Sequence, residues 1–174
     1  RQFIEVVKPE LISYDHYQFF VSGDSQQYFL NLSLVRDAAL EANLPFLNTV
    51  QVSSWDTTIR VPNVDEVRYL VYTTLAYGFE AISYFAYYFP EVCIDGGIAN
   101  ADGTPKPVYF ALKDYNPEFV NIARELQPLK SLGAYHTRMK EPGCQLPPSD
   151  LPFALTKTEN DDTRGFLLGT FGIE

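Results

Sequence analysis

The stretch that decides the fold is residues 45–88, where two apolar runs, PFLNTVQ at 45–51 and AISYFAYY at 81–88, flank a segment with helical signals. Asn63 can cap that helix, and Glu66, three residues later, completes a capping-box pattern. An apolar stripe at helical spacing follows, at Val67, Val71 and Leu75. The stretch therefore predicts a strand–helix–strand unit.

The same alternation extends to both sides of this unit. Residues 11–19 predict a strand and residues 26–43 a helix, while Asn116-Pro117 predicts a further helix from Asn116 to about Ser131. Connections of this length between strands predict parallel strands covered by helices. The pattern alone leaves two fold classes open. One is the last part of a closed α/β barrel, and the other is a small open α/β sheet with an interaction role.

The character of the chain changes after about residue 137. Residues 138–152 hold four prolines, and short apolar runs at 152–156 and 165–171 predict strands of a β-hairpin. We therefore predict that residues 1–137 form the α/β part. Residues 138–174 are predicted to be a linker and the start of an all-β domain.

Composition excludes several classes of partner. The net charge of −9 argues against nucleic acid, and no run of 18 or more apolar residues predicts a membrane span. Cys93 and Cys144 lack metal-ligand spacing, so no metal or cofactor is expected, although they could form a bridge in a secreted or periplasmic protein. Aromatic residues make up 15% of the chain, which suits carbohydrate recognition or, alternatively, a tyrosine-rich core and surface.

Several motifs follow one another in a recognisable order. They are Ser13-Tyr14-Asp15-His16-Tyr17, Pro45-Phe46, Trp55, Arg60-Val61-Pro62, Ala76-Tyr77-Gly78, and Tyr84-Phe85 with Tyr87. In this order the chain resembles the C-terminal half of the catalytic barrel in retaining glycoside hydrolases of the β-galactosidase type, family 42 and its relatives. The resemblance implies a partial TIM (β/α)8 barrel of about the last three β/α units, followed by short β-strands.

The resemblance also implies a function and a problem. It implies a hydrolase that acts on β-linked galactosides or glucosides by a retaining mechanism, which needs two carboxyl groups roughly 5–5.5 Å apart. The acid/base belongs on a fourth strand that this chain does not contain, and the nucleophile belongs at the end of the seventh strand, where Val50 and Gln51 stand. Natural loss of activity, a Glu→Gln replacement and a shifted alignment all remain open. The alternative is an inactive carbohydrate-binding or scaffold fragment of the same fold.

The resemblance and the strand ends together give candidate site residues. Gln51 holds the nucleophile position, with Tyr17 beside it. The candidates for substrate binding are Asp15, His16, Trp55, Phe85 and Tyr87. For Asp15 and His16 the alternative is a structural hydrogen bond to a neighbouring group. Trp55 is the candidate for stacking on a sugar ring, or else a packing anchor for its loop. Because a partial barrel exposes its sheet edges, we expect either a missing N-terminal barrel half or self-association.

Overall fold

A parallel sheet with helices packed on one face forms the centre of the fold. The computed structural model describes residues 1–88, 94–153 and 165–173. The helices are α1 (Gln2–Val7), α2 (Tyr28–Glu41), α3 (Val64–Ala76) and α4 (Pro107–Leu126). The central strands are β1 (Ile12–Asp15), β4 (Phe46–Gln51) and β6 (Ala81–Phe85). The remaining strands form antiparallel pairs: β2 (Phe19–Phe20) with β3 (Gly23–Asp24), β5 (Ser53–Ser54) with β7 (Asp95–Gly96), and β8 (Lys130–His136) with β9 (Leu167–Gly172).

The central strands pair in parallel in the order β1-β4-β6, without reversal. Because parallel crossovers are right-handed, an unreversed order places the connecting helices on the same face of the sheet. Phe46 and Val50 of β4 accordingly belong to one buried cluster with Phe29 of α2 and Leu70 of α3. The predicted α/β fold with a parallel sheet is therefore confirmed. Within the described ranges the sheet is open, with β1 and β6 at its edges.

The start of α3 is the predicted capping box. The Asn63 side chain accepts a hydrogen bond from the Glu66 backbone N–H at 2.9 Å, and the Asn63 N–H donates to the Glu66 carboxylate at 2.8 Å. Arg60 also binds this carboxylate with two bonds of 2.7 Å. One glutamate therefore fixes both the first turn of α3 and the loop that leads into it. Such a cap stabilises a helix by about 1 kcal/mol.

The prediction for the last helix was wrong at both ends. Helix α4 begins at Pro107, so Pro117 lies inside it instead of opening it. A proline at the first helical position is favourable, and Pro107 rather than Pro117 takes that role. The helix ends at Leu126, and the last residues of the predicted helix, Lys130 and Ser131, instead begin strand β8. Its partner is β9, which lies far along the chain, and a local pattern does not reveal such a pairing.

The β8–β9 pair packs directly against the helices. Arg36 of α2 donates to the hydroxyl and to the backbone carbonyl of Ser131, each at 3.0 Å. At Gly169 a Cβ atom would lie 2.5 Å from the carbonyl oxygen of Ala76, so β9 approaches the end of α3 too closely for a side chain. The boundary predicted at 137/138 falls between these two paired strands, and a domain division there stays a prediction. Of the predicted strand at 152–156, residues 154–156 lie outside the described residues.

The described helices include none that is long and apolar enough to cross a membrane.

His136 connects β8 to Phe29 of α2 and to Tyr77, the residue that follows α3. It also makes the stability of the fold depend on pH. Its side chain is 1% exposed, its Nε2 lies 2.9 Å from the Tyr77 hydroxyl, and its ring centroid lies 4.4 Å from that of Phe29. Burial lowers the pKa of His136 from 6.5 to about 4. As pH falls below about 6.5 the unfolded chain binds a proton that the folded chain excludes, so stability is lost towards pH 4.

We predict that this histidine alone lowers the free energy of unfolding by about 2 kcal/mol between pH 7 and pH 5. Urea denaturation at the two pH values measures the loss. His136→Gln should remove most of it, because glutamine does not titrate. His16→Gln is the matched control. It removes the other histidine, whose pKa burial also lowers, and it retains His136. An unchanged pH dependence in His136→Gln would contradict this account.

Candidate functional site

Three predicted site residues meet at the carboxyl-terminal edge of the sheet. Tyr17 follows β1, Trp55 follows β5, the short strand that comes after β4, and Phe85 ends β6. Ring centroids lie 4.1 Å apart for Tyr17 and Trp55, 5.5 Å for Trp55 and Phe85, and 5.9 Å for Tyr17 and Phe85. Phe85 is 37% exposed, and the other two rings are half-buried. We call Tyr17, Trp55 and Phe85 the aromatic cluster, which joins the ends of all three central strands.

A row of polar side chains crosses the sheet just before the aromatic cluster. Asp15, Thr49 and Ser83 are register partners on β1, β4 and β6. The Thr49 and Ser83 hydroxyls hydrogen-bond to each other at 2.8 Å, and Asp15 is exposed. Because side chains alternate along a strand, these three lie on the face opposite the helix-packed Val50. We call Asp15, Thr49 and Ser83 the polar row. Only Asp15 was predicted from the sequence.

Gln51 is buried and fully engaged by backbone groups. Its side chain is 0% exposed. Its Oε1 accepts from the Phe19 N–H at 3.0 Å, and its Nε2 donates to the carbonyls of Phe19 at 3.3 Å and Arg60 at 2.8 Å. An amide meets this need because it offers an acceptor and two N–H donors, whereas a carboxylate offers acceptors only. The nucleophile position stays a prediction, and the contacts give Gln51 a structural role.

His16 lies away from the aromatic cluster. Its Nδ1 is 3.3 Å from the Asn31 side-chain amide nitrogen, which donates to it, and its Nε2 is 3.1 Å from the Ser25 hydroxyl. Burial lowers the pKa of His16, and the neighbouring Asp15 opposes that shift. A neutral imidazole suits both contacts, because one nitrogen accepts and the other donates. His16 therefore secures the connection between β1 and α2.

Tyr87, the last predicted binding residue, is 58% exposed. Its carbonyl accepts from the Ile98 N–H at 2.7 Å and the Ala99 N–H at 2.8 Å. These bonds fix its backbone against the 94–106 loop. Within the described part of the chain, its ring makes no ring contact with the aromatic cluster. Cys93 lies outside the described residues.

The carboxylates of the surrounding loops have structural partners. Asp56 accepts from the Thr58 N–H and hydroxyl, each at 2.6 Å, and these bonds lower the pKa of its carboxyl group. Glu66 and Asp24 both bind Arg60, whose guanidinium lowers the pKa of Glu66. Asp15 is thus the carboxylate that the described residues leave available on the uncovered face. Those residues also contain no group of three or more His, Cys, Asp or Glu placed to hold a metal ion.

Comparison with models of known protein families gives no match, and comparison with curated protein sequences gives none either.

The contacts of Gln51 predict the effect of restoring a carboxylate there. In Gln51→Glu, an oxygen would replace Nε2 and face two backbone carbonyl oxygens. We expect a loss of about 2–4 kcal/mol in the free energy of unfolding at pH 7, because a buried charge would lack a donor on that side. Burial raises the pKa of such a carboxyl group, so the loss should shrink as pH falls towards 4.5.

Urea denaturation of Gln51→Glu at pH 7 and pH 4.5 measures both effects. The matched control is Gln26→Glu, which makes the same change at an exposed position. It should leave stability within about 0.5 kcal/mol of the original chain. A Gln51→Glu variant as stable as the control would show that the amide is not required.

Proposed function

We propose that the chain is part of a glycoside hydrolase-like barrel and binds a β-linked sugar of the galactoside or glucoside type. The observation that carries the proposal is the aromatic cluster, which lies at the carboxyl ends of three parallel strands beside the polar row. In α/β proteins ligands bind at this edge of the sheet.

The two groups of side chains match the two kinds of surface that a sugar offers. The apolar C–H faces of a pyranose ring pack on aromatic rings, and its hydroxyls need donors and acceptors. Thr49 and Ser83 supply hydroxyls, and Asp15 supplies a carboxylate. Successive positions on one face of a strand are about 6.6 Å apart, so a ring stacked on the aromatic cluster can reach the polar row.

The layout of the sheet supports a barrel over a doubly wound fold. A doubly wound sheet reverses its strand order and carries helices on both faces. Here the order β1-β4-β6 is not reversed, and Phe46 and Val50 pack on the helices. The uncovered face carries the short polar side chains of Ser13, Thr49 and Ser83 beside Leu47. Further parallel strands, from an N-terminal barrel half or a second copy, would turn this face into a barrel interior.

Hydrolysis needs more than the described residues supply. A retaining glycosidase uses two carboxyl groups roughly 5–5.5 Å apart, and only Asp15 is available on the uncovered face of the described chain. We therefore propose hydrolysis for the assembled barrel, with a second carboxyl group from outside these strands. The structural role of Gln51 favours the alternative, an inactive carbohydrate-binding fragment. Retained sugar binding without turnover of chromogenic β-galactosides and β-glucosides would select that alternative.

Trp55 gives a direct test of sugar binding, because it is the only tryptophan in the chain. Titration with methyl β-galactoside or methyl β-glucoside should change its fluorescence in a saturable way. Tyr17→Ala should weaken binding about fivefold, since it removes one wall of the aromatic cluster. Tyr109→Ala, on exposed α4, is the matched control and should bind like the original chain. No saturable change with either sugar would contradict the proposal.

The open sheet predicts self-association of the isolated chain. Its edge strands and uncovered face offer backbone and apolar surface to another copy. Light scattering should give a mass above that of the 19.8 kDa monomer. Leu47→Lys, on the uncovered face, should lower that mass. Leu146→Lys, a control at a 70% exposed position after β8, should leave the mass unchanged. A monomer at all concentrations would contradict an unfinished sheet.

A further inference from the structure

We infer that the site selects sugars by charge, with Asp15 as the specificity-determining residue. An amino sugar that carries an ammonium group should bind best, a neutral sugar less well, and a sugar acid least. The inference rests on the proposed sugar site and goes further by naming the class of sugar.

The first support is the exposure of the Asp15 carboxylate and its lack of hydrogen-bond donors among the described residues. Asp15 is exposed on the uncovered face, in register with Thr49, whose hydroxyl is bonded to Ser83 at 2.8 Å. In the described part of the chain no side chain or backbone N–H donates to this carboxylate. Its oxygens therefore remain available to the donors of a ligand, and an ammonium group offers three.

The second support is the pairing of two cations in the strand-end loops, Arg60 and Lys106. Arg60 is held by Glu66 at 2.7 Å and by Asp24 at 3.2 Å. Lys106 lies 3.7 Å from Asp95 and also donates to the Gly96 carbonyl. The charge of each is thus offset by its neighbours, whereas Asp15 adds an unbalanced negative charge. The carboxylate of a sugar acid would meet repulsion without a compensating cation.

The third support is the aromatic cluster itself. The faces of aromatic rings attract cations, and tryptophan does so most strongly. An amino sugar packed on Trp55 or Tyr17 would gain this attraction in addition to the contact with Asp15. A sugar acid would gain neither. The carboxylate and the rings therefore favour the same order of ligands.

The test compares galactosamine, galactose and galacturonate, which share one ring configuration and differ in charge. Each is titrated against the full chain at pH 7 and low salt, with Trp55 fluorescence as the signal. We expect galactosamine to bind about fivefold tighter than galactose and galacturonate about fivefold weaker, as for partly exposed charge pairs. Added salt should reduce both differences.

Two variants assign the effect to Asp15. Asp15→Asn should bring the three affinities to within about twofold of one another, with galactose binding retained. Asp114→Asn, an equal change of charge on exposed α4, should keep the original order. Equal affinities for all three sugars in the original chain would overturn the inference and leave the proposed sugar site standing. No binding of any sugar would overturn both.

Discussion

The side-chain amide of Gln51 is the interaction on which the strand-end loops depend. It bonds to the backbone of Phe19 and of Arg60, and so joins the segment after β1 to the loop after β4. Arg60 in turn binds Glu66, which caps α3. Tyr17 lies two residues before Phe19, and Trp55 lies five before Arg60. One buried amide thus sets the positions from which two of the three clustered rings project.

The uncovered face of the sheet lies beside these strand-end loops. Helices pack on one face, so apolar residues such as Phe46 and Val50 gather there. The other face is left with short polar side chains in register, of which Thr49 and Ser83 satisfy each other. At the carboxyl-terminal edge of the sheet, these polar side chains lie beside the aromatic cluster. It also leaves Asp15 as a charge that no described partner offsets.

The sequence predicted part of the residue grouping at the strand ends, and the parts that it missed have physical reasons. The resemblance and the strand ends together predicted Tyr17, Trp55 and Phe85 as site residues, and parallel strands bring such strand-end residues together. Strict alternation would have added Thr49 and Ser83, and it would have separated His16 from Asp15, since neighbours on a strand point to opposite faces. The partners of Gln51 lie 32 and 9 residues away, and β8 pairs with distant β9, so neither leaves a local signal.

Backbone amide NMR during titration with methyl β-galactoside tests the central claim most directly, because it locates a ligand without assuming where it binds. The account predicts that shifts concentrate at Asp15 to Tyr17, Thr49 to Trp55 and Ser83 to Tyr87, together with the Trp55 indole N–H. Residues of α4 and of the β8–β9 pair should remain unchanged. Saturable shifts at α4 or β8–β9 with none at the three strand ends would contradict it.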